Sequence, residues 1–451
     1  MSALPAERPP TTRSRHRRGG SRAAAPAATF AAAGVPAPLV AALAETGITT
    51  PFPIQALTLP DALAGLDILG RGQTGSGKTL SFAIPLAARL ADGYTSACRP
   101  RGLVLVPTRE LASQVQAVLA PLAQAAGLSV VAIYGGVPQN PQVARLRDRA
   151  DIVVACPGRL ADLIEQGHCH LGDVEISVID EADHMADLGF LPVVRRLLDM
   201  TPPEGQRMLF SATLDAAVDV LARRFMHRPA QHSIGPAEAP GEMVHHLLTV
   251  TPADRTGVVA VLAGGSGRSL VFTRTKRAAH KLARQLAAVG IPAGELHSDL
   301  SQGARERNLA SFAAGTTRVM VATDIAARGI HVDGIDLVIH ADSPTEHKAY
   351  LHRSGRTARA GAAGTVITLQ TSAQAGAVPA IMRKARVVPL TATVTSESAL
   401  LRSIAGAPAP RVQLAARPGL RAETVTEAVT SAPATGRGAA AFSAGFRGRG
   451  R

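Results

Sequence analysis

A glycine-rich turn that ends in a lysine and a threonine has the composition of a phosphate-binding site. Residues 72–79 fit the pattern G-x-x-x-x-G-K-[ST], and they lie between a short apolar run and a helical pattern. The glycines allow backbone N–H groups to surround phosphate oxygens, Lys78 adds a point charge, and the Thr79 hydroxyl can bind Mg²⁺. A chance glycine turn is the alternative, but this context favours phosphate contacts from Gln73, Thr74, Gly75, Ser76, Gly77, Lys78 and Thr79.

An acidic string later in the chain supplies the carboxylates that such a site requires. The apolar run 176–179 is followed by Asp180, Glu181, Ala182 and Asp183. Carboxylates at the C-terminal end of a strand face the same crevice as the glycine-rich turn. We expect Asp180 to hold Mg²⁺ and Glu181 to orient or deprotonate an attacking water. Alone the string would also suit an exposed acidic turn; together with the glycine-rich turn it predicts nucleotide hydrolysis.

These side chains require a sheet that brings several strand ends together. Short apolar runs alternate with helical patterns; residues 276–290, for example, place Ala279, Leu282, Leu286 and Val289 on one helical face. Strands that alternate with helices predict parallel sheets covered on both faces, and therefore an α/β fold of two lobes. Pro85, within the helix after the glycine-rich turn, predicts a kink. The predicted strands are residues 66–69, 103–106, 130–133, 152–154, 176–179 and 208–210 in the first half and 270–273, 294–297, 319–322, 337–340 and 365–369 in the second.

Composition marks the boundaries of the two lobes. The pairs Gly235-Pro236 and Pro240-Gly241 predict a linker. The N-terminal segment is rich in Arg, Pro and Ala, and the C-terminal segment is rich in Ala, Thr, Ser and Pro before it ends in GFRGRGR. We predict a disordered tail over 1–28, a first domain over 29–230, a linker over 231–242, a second domain over 243–385 and a low-complexity tail over 386–451.

The positive charge of the chain is concentrated in these two tails. Of the formal net charge of +14, residues 1–28 carry +5 (six Arg, one Glu) and residues 376–451 carry +8 (ten Arg, one Lys, three Glu), which leaves +1 for residues 29–375. Basic tails on a nearly neutral body usually contact nucleic acid or another polyanion. A purely solubilising tail is the alternative.

Cysteine use and hydropathy indicate the compartment. Cys98, Cys156 and Cys169 are scattered without metal-type spacing, which favours a reducing environment without disulfides or zinc. No apolar run is long enough to span a membrane, and no apolar stretch of a secretory signal follows the basic N-terminus. We therefore predict a cytoplasmic protein.

The acidic string and its companions resemble the motifs of the DEAD-box RNA helicases, a branch of helicase superfamily 2. The resemblance covers roughly residues 30–375 and is closest to bacterial-type members with basic tails. Residues 47–55, with Phe30 upstream, are similar to the adenine-reading Q motif. The other motifs follow in the family's order, at residues 107–112, 135–136, 157–159 and 211–213 in the first half and at residues 271–274, Gln302 with Arg305, 322–329 and 352–359 in the second.

The resemblance implies two tandem RecA-like domains that close on one ATP in the presence of RNA. It implies that Phe30, Gln55 and His331 contact the nucleotide and that Arg356 and Arg359 are arginine fingers. With Lys78, Asp180 and Glu181, these arginines would form the catalytic set, and Mg²⁺ would be held by Thr79 and Asp180. Coupling between the domains would use Asp183, Ser211, Thr213, Asp324 and His352. Contacts with the RNA backbone would come from Thr108, Arg109, Gly136, Arg159, Arg274, Gln302, Arg305 and Thr323.

Four residues depart from the family's pattern. Ile48 stands where an aromatic residue usually lies near the adenine, and Phe52 replaces a Thr. Cys156 replaces a Thr that donates to an RNA phosphate, and a thiol is a weaker donor. His331 stands where an Asp usually binds the ribose, which places nucleotide affinity and interdomain coupling in question.

The resulting interpretation is an ATP-dependent RNA helicase that acts as a monomer and binds RNA without reading sequence. Ribosome-assembly or RNA-decay proteins are candidate partners. A processive DNA-translocating helicase is the first alternative, and the DEAD string and Q motif favour RNA over it. An RNA-binding clamp or scaffold with weak ATPase activity is the second. The presence of Lys78, Glu181, Arg356 and Arg359 argues against that alternative.

Overall fold

The structure, a computed structural model, describes residues 28–72, 76–214, 216–234, 243–327, 332, 334–358 and 362–410. Within this part of the chain, two sheets of seven parallel strands each form the centre of a lobe. The predicted α/β class with two parallel-sheet domains is therefore confirmed. Among the described helices, none is both long and apolar enough to cross a membrane.

The first lobe has strand order β3-β4-β2-β5-β6-β1-β7. Its strands are β1 (Ile68–Arg71), β2 (Gly102–Leu105), β3 (Val130–Ile133), β4 (Ile152–Ala155), β5 (Ile176–Ile179), β6 (Gln206–Ser211) and β7 (Ala230–Ser233). Its helices are α1 (Ala37–Glu45), α2 (Pro53–Leu63), α3 (Lys78–Leu90), α4 (Arg109–Ala125), α5 (Asn140–Arg147), α6 (Pro157–Glu165), α7 (Ala182–Asp187), α8 (Leu191–Asp199) and α9 (Ala216–Phe225).

The second lobe repeats this plan with strand order β10-β11-β9-β12-β13-β8-β14. Its strands are β8 (Met243–Thr249), β9 (Ser269–Thr273), β10 (Ala293–Leu296), β11 (Val319–Thr323), β12 (Leu337–His340), β13 (Gly364–Gln370) and β14 (Leu390–Thr393). Its helices are α10 (Arg255–Ala263), α11 (Lys276–Ala288), α12 (Gln302–Ala313), α13 (Asp324–Ala327), α14 (His347–Ser354), α15 (Ala377–Lys384) and α16 (Ala399–Ala405).

Both faces of each sheet are buried, which explains why the strands read as continuous apolar runs. In β2, Leu103 and Leu105 join the core on one face, whereas Val104 packs into the core on the other. Helix starts are fixed locally: the Thr108 hydroxyl accepts a hydrogen bond from the Leu111 N–H at the start of α4, and Ser301 does the same for α12. Helix α3 runs through Pro85 from the end of the glycine-rich turn.

The predicted linker begins too early. Residues 231–233 belong to β7, which pairs in parallel with β1 at the edge of the first sheet. This strand is polar and therefore resembles a loop in the sequence. It can be polar because it lies at the edge of the sheet, where it pairs with one neighbouring strand only.

The predicted boundary at residue 385 is wrong. Strand β14 pairs with β8, and Leu401 of α16 is fully buried beside α10. Beyond α16, the Ala409 N–H donates to the Gly264 carbonyl, so the second domain extends at least to residue 410. The small residues of this segment resemble low-complexity sequence, although Val394 and Leu401 anchor it in the core. The predicted tails lie mostly outside the described residues.

Candidate active site between the two lobes

The glycine-rich turn ends at a residue that favours glycine. Gly77 has φ +87° and precedes α3, which begins at Lys78. The Lys78 side chain is buried, and its ammonium Nζ donates to the Gly72 carbonyl at 2.5 Å. A buried ammonium group at the end of a glycine-rich turn is suited to binding an anion. Ser76 and Thr79 are half-buried at the same helix start.

Gln55 connects the Q motif to this turn. Its carboxamide is buried, with Nε2 donating to the Gly77 carbonyl at 2.8 Å and Oε1 accepting from the Phe52 N–H at 2.9 Å. Phe30 is buried in the core of the first lobe, and its contact with the nucleotide stays a prediction.

Two of the departures from the family's pattern lie beside this Q motif. Ile48 packs against the core of the first lobe. Phe52, 52% exposed, lies against the glycine-rich turn, where a Cβ added to Gly77 would come within 2.6 Å of its ring. Phe52 caps α2 without a side-chain hydrogen bond, which is the cost of replacing a hydroxyl residue at a helix start.

The acidic string lies at the C-terminal end of β5, as expected. Asp180 and Glu181 are both buried. Burial is the main cause that raises the pKa of Asp180 to about 7; the Lys78 ammonium lowers this pKa, and the Glu181 carboxylate contributes to raising it. Glu181 has φ +50°, a left-handed conformation that is uncommon for a residue with a side chain, and its N–H donates to Asp180 Oδ1 at 2.9 Å.

Asp183 ties the acidic string to β6. Its Oδ2 accepts from the Thr213 N–H at 2.9 Å and from the Thr213 hydroxyl at 3.0 Å. The Ser211 hydroxyl lies 3.3 Å from the Asp183 N–H and donates to the Thr213 carbonyl at 2.7 Å. A movement of Asp183 would therefore displace the residues at the end of β6 directly.

One cavity joins the two lobes. Lys78, Glu181, Asp183 and His184 line it from the first lobe, and His352 and Arg356 line it from the second. Arg356 is buried, and its Nε donates to the His352 carbonyl at 3.3 Å. The structure thus brings a predicted arginine finger to the same cavity as the predicted base.

Neighbouring residues hold α14, the helix that directly precedes the arginine finger. The buried Arg353 guanidinium donates to both carboxylate oxygens of Asp324, at 2.5 and 2.7 Å, and to the Asp342 carbonyl at 2.7 Å. It also lies over the Phe272 ring, 5.1 Å from its centroid. Asp324, predicted to couple the domains, is thereby engaged within the second lobe. Sequence reasoning missed Arg353, although it lies inside the motif that contains Arg356.

The predicted RNA contacts of the first lobe follow the C-terminal ends of β2, β3 and β4. Thr108 and Arg109 begin α4, and a side chain at Gly136, which has φ +76°, would collide with the Arg109 guanidinium. Arg159 donates to the Val137 carbonyl at 3.3 Å. Burial, with a smaller effect of Glu110 and against that of Arg109, raises the pKa of Cys156 to about 12, so Cys156 stays a neutral thiol in this face.

The predicted RNA contacts of the second lobe have the same placement. Arg274 and Thr323 lie at the ends of β9 and β11, and Gln302 and Arg305 lie on α12. Gln302 is buried, and its amide donates to Glu306 at 3.1 Å. Arg305 is paired with Glu110 of the first lobe, with Nε 2.9 Å from Oε1. Glu110 was not singled out from the sequence, and its position beside Arg109 is the only indication there.

Five predicted site residues lie outside the described part of the chain: Gln73, Thr74, Gly75, His331 and Arg359. Within the described part, no cluster of three or more His, Cys, Asp or Glu side chains has the arrangement of a metal site. Mg²⁺ usually takes one or two carboxylates together with substrate phosphates, so Asp180 and Thr79 still fit it.

Comparisons with known proteins agree with this geometry. The family model of the DEAD/DEAH box helicases matches residues 52–221, and that of the helicase conserved C-terminal domain matches residues 256–361. DEAD-box ATP-dependent RNA helicase 20 of Arabidopsis thaliana is 37% identical over 362 residues, which are 78% of this chain and 71% of that protein. The maize protein named DEAD-box ATP-dependent RNA helicase 3A, chloroplastic, is 42% identical over 362 residues, and the chain spans 48% of its length.

A solved structure shares the arrangement of both lobes. S. cerevisiae Dbp5 bound to RNA and ADP BeF3 superposes with a TM-score of 0.73 at 26% identity, covering 82% of this chain and 96% of Dbp5.

Proposed function

The chain belongs to the DEAD-box ATP-dependent RNA helicases, and we propose that it couples ATP hydrolysis to local unwinding of short RNA duplexes or to remodelling of RNA–protein complexes. The observation that carries this proposal is the cavity in which Lys78 and Glu181 of the first lobe meet Arg356 of the second. Hydrolysis at such a site requires both lobes, so turnover can be coupled to their closure.

The side chains at the glycine-rich turn and at the cavity have roles that follow from their chemistry. Gln55, held against the glycine-rich turn, selects adenine through its carboxamide. Lys78 neutralises the β- and γ-phosphates, and Glu181 orients the attacking water and takes its proton. Arg356 stabilises the charge that develops on the transferred phosphoryl group.

Thr79 and Asp180 would hold Mg²⁺, which supplies charge neutralisation at the phosphates when bound. Because burial raises the pKa of Asp180 to about 7, protons compete with the cation for this carboxylate below neutral pH. The hydroxyl of Thr79 has no such dependence.

RNA would bind across the strand ends of both lobes. Arg109, Arg159 and Arg274 offer guanidinium groups there, which hold phosphates but read no bases. Contacts with 2′-hydroxyls would favour RNA over DNA. The ion pair between Arg305 and Glu110 joins the two lobes and would stabilise their closed arrangement. RNA that spans both lobes and ATP bound between them would favour the same arrangement.

The proposal is tested by RNA-stimulated ATP hydrolysis and by unwinding of a short RNA duplex. Wild-type protein should hydrolyse ATP only slowly without RNA. Lys78→Ala and Glu181→Gln should lose at least about tenfold of the stimulated rate while the melting temperature is kept. Turnover near the wild-type level in either variant would contradict the assigned roles.

The same assay separates the alternatives. Stimulation by single-stranded DNA equal to that by RNA would favour a DNA-translocating enzyme, and RNA binding without turnover would favour a clamp. A cytoplasmic location, a monomeric state and partners in ribosome assembly or RNA decay remain predictions from the sequence.

A further inference from the structure

The residue that follows the acidic string, His184, is buried against the proposed catalytic base. Its imidazole Nδ1 lies 3.0 Å from Glu181 Oε2, and the two side chains are only 5% and 10% exposed. A carboxylate can only accept hydrogen bonds, so Nδ1 carries the proton of this contact. His184 therefore holds one oxygen of the Glu181 carboxylate in place.

Glu181 needs such support because its backbone is unusual. At φ +50° it has a left-handed conformation that residues with side chains rarely adopt. The strained backbone directs the side chain, and the buried imidazole limits its rotation. A base for water attack must be held within a fraction of an ångström, so a fixed carboxylate is more effective than a free one.

The other side of the His184 ring faces the second lobe. Its Nε2 is buried and has no hydrogen-bond partner among the described residues. The ring centroid lies 6.5 Å from that of His352 on α14, and both residues line the cavity that contains Arg356. The imidazole thus lies between the base in one lobe and, in the other lobe, the helix that directly precedes the arginine finger.

We propose that His184 is a positioning residue for hydrolysis, which orients the Glu181 carboxylate and links that orientation to lobe closure through its packing on His352. This inference rests on the proposed ATP hydrolysis. The alternative is that His184 only fills buried space and does not orient Glu181.

Three substitutions separate orientation from space filling. His184→Asn keeps a donor at the Nδ1 position, His184→Gln moves the donor to the Nε2 position, and His184→Phe keeps the ring without a donor. We expect His184→Asn to retain kcat within about threefold, and the other two to lose about 10- to 100-fold, a part of the effect of a general base. The KM for ATP should change less than about threefold in all three, because the contact acts on the base.

Melting temperature serves as the control in each case. Equal losses of kcat in the Asn and Phe variants at equal melting temperature would overturn the proposal, as would a Phe variant that keeps half of the wild-type kcat. If the Phe variant does not fold, the Gln variant carries the same comparison with Asn.

A double variant tests whether His184 acts through Glu181. In single-turnover measurements with RNA, His184→Phe added to Glu181→Gln should lower the rate no further, since the base is already removed. Multiplied losses would show an independent role and overturn the inference. Absence of RNA-stimulated turnover in the wild type would instead refute the proposed function, so the two failures are distinguishable.

Discussion

Glu110 on α4 and Arg305 on α12 form a buried ion pair that joins the two lobes. The Arg305 Nε lies 2.9 Å from Glu110 Oε1, and the side chains are 9% and 3% exposed. The contact is an ion pair rather than an aligned hydrogen bond, because neither atom has a hydrogen-bond partner of good geometry. Because water can solvate each charge when the lobes separate, the ion pair affects the free energy of the closed arrangement only.

Replacing one member of this pair should weaken closure. Glu110→Gln leaves the Arg305 charge buried without compensation, a change that typically costs about 3–5 kcal/mol. We expect at least a tenfold rise in the RNA concentration that half-saturates ATP hydrolysis, with unchanged nucleotide binding in the absence of RNA. The double variant Glu110→Gln with Arg305→Met should recover part of the loss, since no unpaired charge remains.

An exposed pair within the first lobe provides the control. Arg99 and Asp173 lie 2.8 Å apart with both side chains over 40% exposed, and surface pairs contribute about 0–1 kcal/mol. Asp173→Asn should therefore leave the same titration within about twofold. If Glu110→Gln behaves like this control while Arg305→Met does not, Arg305 acts on RNA and not on closure.

Arg356→Ala should permit ATP binding but stop turnover. The guanidinium reaches the cavity from the second lobe, so it contributes only when the lobes are together. A finger of this kind contributes about 10³–10⁵-fold to the rate. Nucleotide affinity measured by fluorescence without RNA should change little. A collapse of that affinity with hydrolysis preserved would show that Arg356 binds nucleotide in the ground state.

The stability of the second lobe should fall in acid because of a buried histidine cluster. Tyr350 OH lies 2.7 Å from His245 Nδ1, and the Tyr350 ring packs edge-on against the buried His340. Burial lowers the pKa of His245 to about 4, with a smaller effect of His246, and burial together with Arg353 lowers the pKa of His340 as well.

The direction of this pH dependence is set by the numbers of protons that the folded and the unfolded chain bind. In the unfolded chain these histidines titrate near their ordinary pKa of about 6.5, so between that pH and about 4 the unfolded chain binds more protons. The free energy of unfolding therefore rises with pH through this window and falls as the pH is lowered. Urea midpoints at pH 7.5, 6 and 5 measure it. His245→Gln should reduce the difference between these midpoints, whereas an unchanged difference would assign the effect to other groups.

The sequence was sufficient for the fold class and for most of the residues that line the cavity, but it did not single out His184. The strand before the glycine-rich turn and the strand before Asp180 are continuous apolar runs. In a parallel sheet their C-terminal ends lie at the same edge, so the polar residues that follow them are brought together. It was not sufficient for pairs such as Glu110 with Arg305, because nothing local relates two helices so far apart in the chain. Nor did it reveal β7, β8 and β14. The strands β7 and β14 lie at sheet edges and carry polar residues that resemble loops, and β8 contains two consecutive histidines.

Truncation should distinguish the observed end of the second domain from the predicted one. A chain that ends at residue 410 keeps β14 and α16, including the buried Val394 and Leu401. A chain that ends at residue 385 loses both and exposes the α10 surface that α16 covers. We expect the longer chain to melt like the full protein and the shorter one to melt several degrees lower or to aggregate, as measured by calorimetry. Equal melting temperatures would contradict the observed boundary.

The segment beyond residue 410 should contribute RNA affinity rather than catalysis. Residues 411–451 hold seven Arg and two Glu, a net charge of +5. Arginines among glycines can neutralise phosphates and stack on bases without reading sequence, and each neutralised phosphate on a single strand steepens the salt dependence by roughly 0.7. If about half of this charge engages, deleting 411–451 should lower the slope of log affinity against log salt by roughly two. RNA affinity should then fall several-fold at low salt and much less at high salt, while kcat at saturating RNA stays near the wild-type value.

A replacement of all seven arginines by glutamine in the full chain controls for length. If neither variant alters the slope, the segment is a solubilising or protein-docking arm.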